Sequence, residues 1–142
     1  MSEALYQQAL KALAEAAHGA GRLDDADARV RLDNPLCGDR ITVHLRMAGG
    51  RVAAVAHETR GCLLCRAAAS AIGRRAPGLT PAEIAAAAAS AEAQMAAESP
   101  PAPAWPELEA FRPVRGHPSR RGCVSLPFQA LRQALGDAGR RT

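Results

Sequence analysis

Four cysteines carry most of the chemical potential of this chain: Cys37, Cys62, Cys65 and Cys123. Three of them stand beside glycine, in Cys37-Gly38-Asp39, Gly61-Cys62 and Gly122-Cys123. A glycine neighbour lets the backbone approach a ligand closely. Cys37 falls in a turn, whereas Cys62 and Cys123 fall where helical patterns begin. Helix N-termini present unpaired N–H groups and the positive end of the helix dipole, which favour thiolate over thiol. Metal ligation and nucleophilic sulfur chemistry both need the thiolate. Asp39 is placed to return to the same point and add an oxygen, and three thiolates with one carboxylate make an acceptable tetrahedral zinc shell. Spacing by itself leaves two readings open: one shared cysteine site, or core cysteines acting as small hydrophobes. Cys62-x-x-Cys65 is a zinc-like pair, but no second such pair accompanies it. Cys65 on its own reads as structural.

The other candidates are weaker. His44 lies on the polar face of a strand and His57 near the end of the next, and both read as sheet histidines rather than ligands. His117 precedes Cys123 by six residues and reads as a loop histidine. His18 reads as a cap on the first helix. Trp105 stands in a Pro-rich loop, where it covers an Ala-rich helix or meets a partner. No Gly-rich phosphate loop, Ser/His/Asp set or His-Glu-x-x-His motif is present.

The elements that must position the cysteines follow from periodicity. Leu5, Tyr6, Leu10, Leu13 and Ala17 predict a helix over 3–17, with Ser2 and Glu3 at its start. Val30 and Leu32 suggest a short strand before Asn34-Pro35. Ile41, Val43, Leu45 and Met47 alternate with Thr42, His44 and Arg46, the pattern of a strand with one buried face. Gly49-Gly50 is a hairpin turn, and 51–58 is the returning strand. A helix of small residues runs from Cys62 to Arg75. Thr80-Pro81-Ala82-Glu83 is a capping box with Pro at the first helical position, opening an Ala-rich helix to about Ala97. Having few large residues, that helix is expected to pack shallowly. Ser99–Pro106 is a loop, 107–111 a short helix, and Phe128, Leu131 and Leu135 mark a last helix. The tail over 136–142 is expected to fray. Strands grouped together with helices after them predict an α+β domain, a small three-stranded antiparallel sheet packed by helices.

Composition sets the bounds. A chain of 142 residues fits one domain, 1–142, and is long enough to bury a core without disulfides. No apolar run reaches the roughly 18 residues of a membrane span. A net charge of +4 with only four aromatic residues gives no basic stripe interleaved with stacking rings, so no nucleic-acid partner is expected. The charge suits a protein partner instead. With no export signal the expected location is cytoplasmic, where thiols stay reduced and a cysteine cluster means metal or catalysis. Seventeen of the eighteen basic residues are Arg, a bias shared with the Ala content that carries little functional information.

Several segments together resemble one family. Asn34-Pro35-Leu36-Cys37-Gly38-Asp39-Arg40-Ile41 looks like the signature of the NifU/IscU/SufU family of iron–sulfur assembly proteins. Arg60-Gly61-Cys62, with the small-residue helix through Ala67-Ala68-Ala69-Ser70, is similar to its second-cysteine motif. His117-Pro118-Ser119-Arg120-Arg121-Gly122-Cys123 resembles the segment around its third cysteine. The helix bearing Leu5-Tyr6 matches its opening, so the resemblance covers about residues 3 to 135.

Sixty residues separate Cys62 from Cys123, as in the SufU branch, which carries an insertion there. Gly122 stands where IscU-type proteins have His. The resemblance therefore implies a SufE/NifU-like fold with a cysteine site at one end. It further implies a zinc-dependent sulfurtransferase with Cys37, Asp39, Cys62 and Cys123 as metal ligands. Cys37 would accept persulfide sulfur from a cysteine desulfurase after a partner histidine displaces it from zinc, and would pass it to downstream assembly or acceptor proteins. The alternative is a scaffold that builds and transfers a [2Fe–2S] cluster on the same residues. Three features depart from the family. Gly122 lacks the Lys usual in SufU types, with Arg120 and Arg121 the nearest substitutes. His18-Gly19-Ala20-Gly21-Arg22 replaces the family's Pro-Arg-Asn-x-Gly. Cys65 is an additional cysteine.

Overall fold

The computed structural model describes residues 3–140. Helix α1 (Glu3–Ala16) leads into three strands, β1 (Ala28–Asn34), β2 (Asp39–Ala48) and β3 (Arg51–Arg60). Helices α2 (Leu63–Arg75) and α3 (Pro81–Ala96) follow, then two 3₁₀ segments (Pro106–Gly116 and Pro118–Arg120), and finally α4 (Arg121–Arg140). The strands form one antiparallel sheet in the order β1-β2-β3. This is the expected α+β architecture.

Alternation in β2 sets the sheet's two faces. Ile41, Val43 and Leu45 are almost fully buried, and each stabilises the fold by about 1.5–3 kcal/mol. Helices cover that face: α4 packs on β1 and β2, and α2 packs on β3. Gly49 and Gly50 both have positive φ (60° and 75°), so the β2–β3 hairpin closes through the left-handed turn that β-branched or bulky residues would strain. A register shift at Arg46/Met47 adds local twist near that turn. Thr80 and Glu83 form the full capping box, with Thr80 Oγ1 accepting from Glu83 N at 3.2 Å and Glu83 Oε1 accepting from Thr80 N at 3.0 Å.

Five expectations are corrected. Helix α3 is seated deep: Ile84, Ala87, Ala91 and Met95 are buried, because small side chains let the helix approach α4 and the 3₁₀ segment closely. Trp105 is a core residue, with its ring 5.8 Å from that of Phe128 in α4, so it offers no surface to a partner. The short helix expected over 107–111 is an eleven-residue 3₁₀ segment containing Pro113. His18 caps nothing: its N–H donates to Ser70 Oγ and its carbonyl accepts from His57. The tail does not fray from residue 136. Helix α4 continues to Arg140 with Ala138 buried, while Ser2, Arg141 and Thr142 lie outside the described residues. No described helix is long and apolar enough to cross a membrane.

The two sheet histidines are buried, each by a different route. His57 lies on the core face, donating from Nε2 to the His18 carbonyl and accepting at Nδ1 from Thr59 Oγ1, both at 2.8 Å. Burial holds its pKa below the usual value, against the opposing pull of the His18 carbonyl. His44 lies on the outer face as expected, yet Arg29 and Glu58 cover it, with Nδ1 accepting from Arg29 and Nε2 donating to Glu58.

Glu107 ties the 3₁₀ segment to α2, accepting from Arg75 Nε at 2.8 Å and lying 2.6 Å from Arg75 NH2. Burial raises its pKa, but the Arg75 hydrogen bonds and charge outweigh that and leave it below the usual 4.5. A carboxyl whose folded pKa is depressed stabilises the fold above its unfolded pKa and loses that contribution on acidification. Glu107→Gln is therefore expected to lower stability by about 1 kcal/mol at pH 7, with the gap closing below about pH 4 in urea unfolding.

Candidate metal centre

Three chain segments meet at one end of the sheet: the β1–β2 hairpin, the β3–α2 junction and the start of α4. The hairpin is built by Asn34, whose side chain accepts from Leu36 N at 3.1 Å and whose carbonyl accepts from Gly38 N at 2.9 Å. Gly38 takes φ +73°, which turns the chain so that Cys37 stands at the exposed tip and Asp39 enters β2 buried. Cys62 is the N-cap of α2, and Cys123 lies in the first turn of α4. Pro127 lacks an N–H, so the Cys123 carbonyl four residues earlier gets no helical bond from it.

Asp39 is the hub. Its Oδ1 accepts from Cys62 N at 2.8 Å. Its Oδ2 faces the sulfurs, 2.9 Å from Cys37 Sγ and 3.7 Å from Cys62 Sγ. Cys37 Sγ and Cys123 Sγ are 3.3 Å apart, a thiol contact and not a disulfide. The ligand atoms of Cys37, Asp39 and Cys123 lie within 4.8 Å of one another. Cys62 Sγ stands at the rim of that cluster. The four residues expected to share a site thus come together, three tightly and one at the edge. Cys37 and Cys62 are exposed and Cys123 is buried, so the cluster opens to solvent on one side.

Burial and hydrogen bonding together set the electrostatics of the cluster. Burial raises the Asp39 pKa, but hydrogen bonds from Cys37, Cys62 N and Cys123 more than reverse this and hold the carboxylate below its usual range. Burial pushes the Cys123 thiol strongly upward, and its contacts with Cys37 and Asp39 add to the shift. Cys65 is fully buried beneath the cluster, where burial first, then the charges of Asp39, Cys62 and Cys37, push its thiol up to about 12.

Glycines set the close packing. A Cβ on Gly61 would press into the Asp39 carboxylate, 2.9 Å from its Cγ. One on Gly122 would stand 3.1 Å from Asn34 Nδ2, so a Lys there would need that amide to give way. Arg120 lines a cavity of about 150 Å³ beside Cys62 with His117, Tyr6 and Gln7. Tyr6 and Gln7 show no spacing signal toward the site, since only the folded chain brings α1 beside Cys62. His117 contributes no atom to the Cys/Asp cluster, nor do His44 and His57.

Comparison with known proteins bears on the fold and the family. The iron–sulfur cluster assembly scaffold protein IscU of Thermotoga maritima is 28% identical over 131 residues, covering 92% of each chain. The crystal structure of a nitrogen-fixing NifU-like protein (N-terminal) from Brucella abortus superimposes with a TM-score of 0.90 at 27% identity, covering 99% of this chain and 100% of that one. A SUF-system scaffold candidate from Fervidobacterium islandicum shares the fold, with a TM-score of 0.84 at 23% identity over 95% of this chain and 99% of its own. The profile described as NifU-like N terminal domain matches residues 5–137, nearly the whole length, and the chain belongs to that family.

Proposed function

We propose that this chain is an iron–sulfur cluster assembly protein of SufU type in which Cys37 accepts persulfide sulfur from a cysteine desulfurase. One observation carries the reading: three thiols gather around one buried carboxylate at the open end of a NifU-like fold, with Cys37 at the exposed hairpin tip. The sixty residues between Cys62 and Cys123 and the absence of His at Gly122 favour the SufU branch over the IscU branch. Between Cys62 and Cys123 the chain folds as α2, α3 and the two 3₁₀ segments.

Three sulfurs and a carboxylate oxygen suit zinc, and Cys37, Asp39, Cys62 and Cys123 are the residues that would hold it. Bound zinc would keep these thiols deprotonated at neutral pH. The transfer itself belongs to Cys37. Its thiolate attacks the outer sulfur of the donor's persulfide, the donor S–S bond breaks, and the donor cysteine leaves as thiolate while Cys37 carries the persulfide. Downstream assembly proteins then take the sulfur.

Leu36 gives the donor protein a foothold. It is 92% exposed, a large apolar side chain next to the acceptor thiol. Leu36→Asp is expected to cut desulfurase-dependent transfer about tenfold, the loss of one modest interface contact, while loading from inorganic polysulfide stays unchanged.

A second reading has its own support. The Thermotoga maritima relative is named as a cluster assembly scaffold, and the same four side chains suit a labile [2Fe–2S] cargo. Metal analysis of purified protein, combined with single-turnover sulfur transfer from a desulfurase, tests the proposal. Tight zinc with persulfide on Cys37 supports the acceptor. A stoichiometric cluster after anaerobic reconstitution that reaches an apo acceptor, with no persulfide on Cys37, would replace it with the scaffold.

A further inference from the structure

Cys65 has no part in the acceptor site proposed above, yet it lies three residues from Cys62 at the start of α2. Cys62 is the N-cap of α2 and Cys65 is its N3 residue. In a capping box the side chains at those two positions each reach the other's backbone N–H, so the two residues are neighbours. At a rise of 1.5 Å per residue and nearly a full turn, their Cα atoms are about 5 Å apart, inside the range over which a disulfide closes without backbone movement. The pair is asymmetric, with Cys62 exposed and Cys65 wholly buried. One outward and one sheltered cysteine at a helix N-terminus make a recognisable setting for thiol–disulfide exchange. Cys62 is also next to the acceptor, since its Sγ and that of Cys37 contact the same Asp39 Oδ2 at 3.7 and 2.9 Å.

We propose that in the zinc-free protein Cys62 and Cys65 form a dithiol that reduces the sulfur delivered to Cys37 and releases it as sulfide, closing a Cys62–Cys65 disulfide. This rests on the reading of Cys37 as persulfide acceptor. Persulfide sulfur is two electrons more oxidised than the sulfide of a cluster, and a pair of thiols supplies those two electrons. The Cys62 thiolate attacks the outer sulfur of the Cys37 persulfide. The Cys37 S–S bond breaks, Cys37 leaves as thiolate, and Cys62 carries the persulfide. Cys65 then attacks Cys62 Sγ, the bond to the outer sulfur breaks, and hydrosulfide departs with the Cys65 proton. In sum, one Cys37 persulfide and two thiols yield one Cys37 thiol, one disulfide and one hydrogen sulfide. A small dithiol reductant restores the pair for the next round.

The test uses the full chain, freed of metal by a chelator and loaded anaerobically with inorganic polysulfide so that no desulfurase is needed, then desalted and left without added thiol. Sulfide is measured colorimetrically, and persulfide and disulfide are mapped on non-reduced peptides. The expected result is sulfide release matching the loss of Cys37 persulfide, with a Cys62–Cys65 disulfide in equal amount. Cys65→Ala should keep the persulfide on Cys37 and release sulfide about tenfold more slowly or worse. A wild-type map lacking the Cys62–Cys65 disulfide overturns the proposal whatever the variant's stability. Wild-type-rate sulfide release from Cys65→Ala carrying Cys37 persulfide also overturns it, while leaving the acceptor reading in place. Failure of Cys37 itself to load overturns the acceptor reading and the dithiol step with it.

Discussion

Cys37→Ala is expected to abolish sulfur acceptance from a desulfurase, reducing it to background, while the circular dichroism spectrum and the unfolding midpoint stay close to wild type. Cys37 sits at an exposed hairpin tip, where its side chain meets only Asp39 Oδ2 and Cys123 Sγ and takes no part in the apolar core. The backbone of that tip is held by Asn34 and Gly38, not by the thiol. Removing the sulfur therefore costs little stability and removes the nucleophile outright. Cys123→Ala would be a poorer probe, because Cys123 is buried and the change also opens a space in the core. Equal persulfide loading of Cys37→Ala and wild type, read by peptide mass, would move the acceptor role to Cys62 or Cys123.

Gly61→Ala is the second large effect, and it acts on the site without touching a cysteine or Asp39. The new methyl group would overlap the Asp39 carboxylate, which cannot simply retreat. Its Oδ1 holds the Cys62 amide at 2.8 Å and its Oδ2 faces the sulfurs. Displacing it leaves that amide unpaired and spoils the one oxygen donor. The expected loss is about 2–3 kcal/mol of stability by urea unfolding, together with a failure to retain zinc against a competing chelator. Gly122→Ala is the control. Its methyl meets only the end of the Asn34 amide at 3.1 Å, a group able to shift slightly, so a loss below about 1 kcal/mol is expected. Equal effects from both variants would show that Asp39 does not organise the centre.

The sheet was legible in the sequence because it rests on local rules, whereas spacing left the cysteines open between one site and scattered core residues until the family resemblance joined them. Ile41, Val43 and Leu45 alternate strictly, Gly49-Gly50 permits only a narrow choice of turn, and Thr80 to Glu83 writes out its own cap. The cysteines stand beside Gly38, Gly61 and Gly122, at chain reversals that a single sheet end can gather. What stayed hidden depends on tertiary contact. The depth of α3 does not follow from an alanine run, since small side chains suit a shallow face and a close approach equally well. Trp105 sits in a Pro-rich loop whose composition says nothing of Phe128 beneath it. His44 occupies a polar position in the alternation, and only Arg29 and Glu58 reaching over it make that position buried. The 3₁₀ segment around Pro113 buries Leu108, Phe111 and Val114 at a spacing of three, which so short an apolar pattern does not separate from an α-helix. Tyr6, Gln7 and Arg120 join Cys62 around one cavity only after α1 packs on α2 and the first 3₁₀ segment.

The central claim is that Cys37, Asp39, Cys62 and Cys123 form one metal centre. X-ray absorption at the zinc edge on zinc-loaded wild-type protein and on Cys62→Ser tests it most directly. Cys62 is the decisive position because its Sγ stands at the rim, 3.7 Å from Asp39 Oδ2. The account predicts three sulfurs at about 2.3 Å and one oxygen at about 2.0 Å in the wild type, falling to two sulfurs in Cys62→Ser. A first shell that retains its sulfur count in Cys62→Ser, or one dominated by nitrogen, would contradict it.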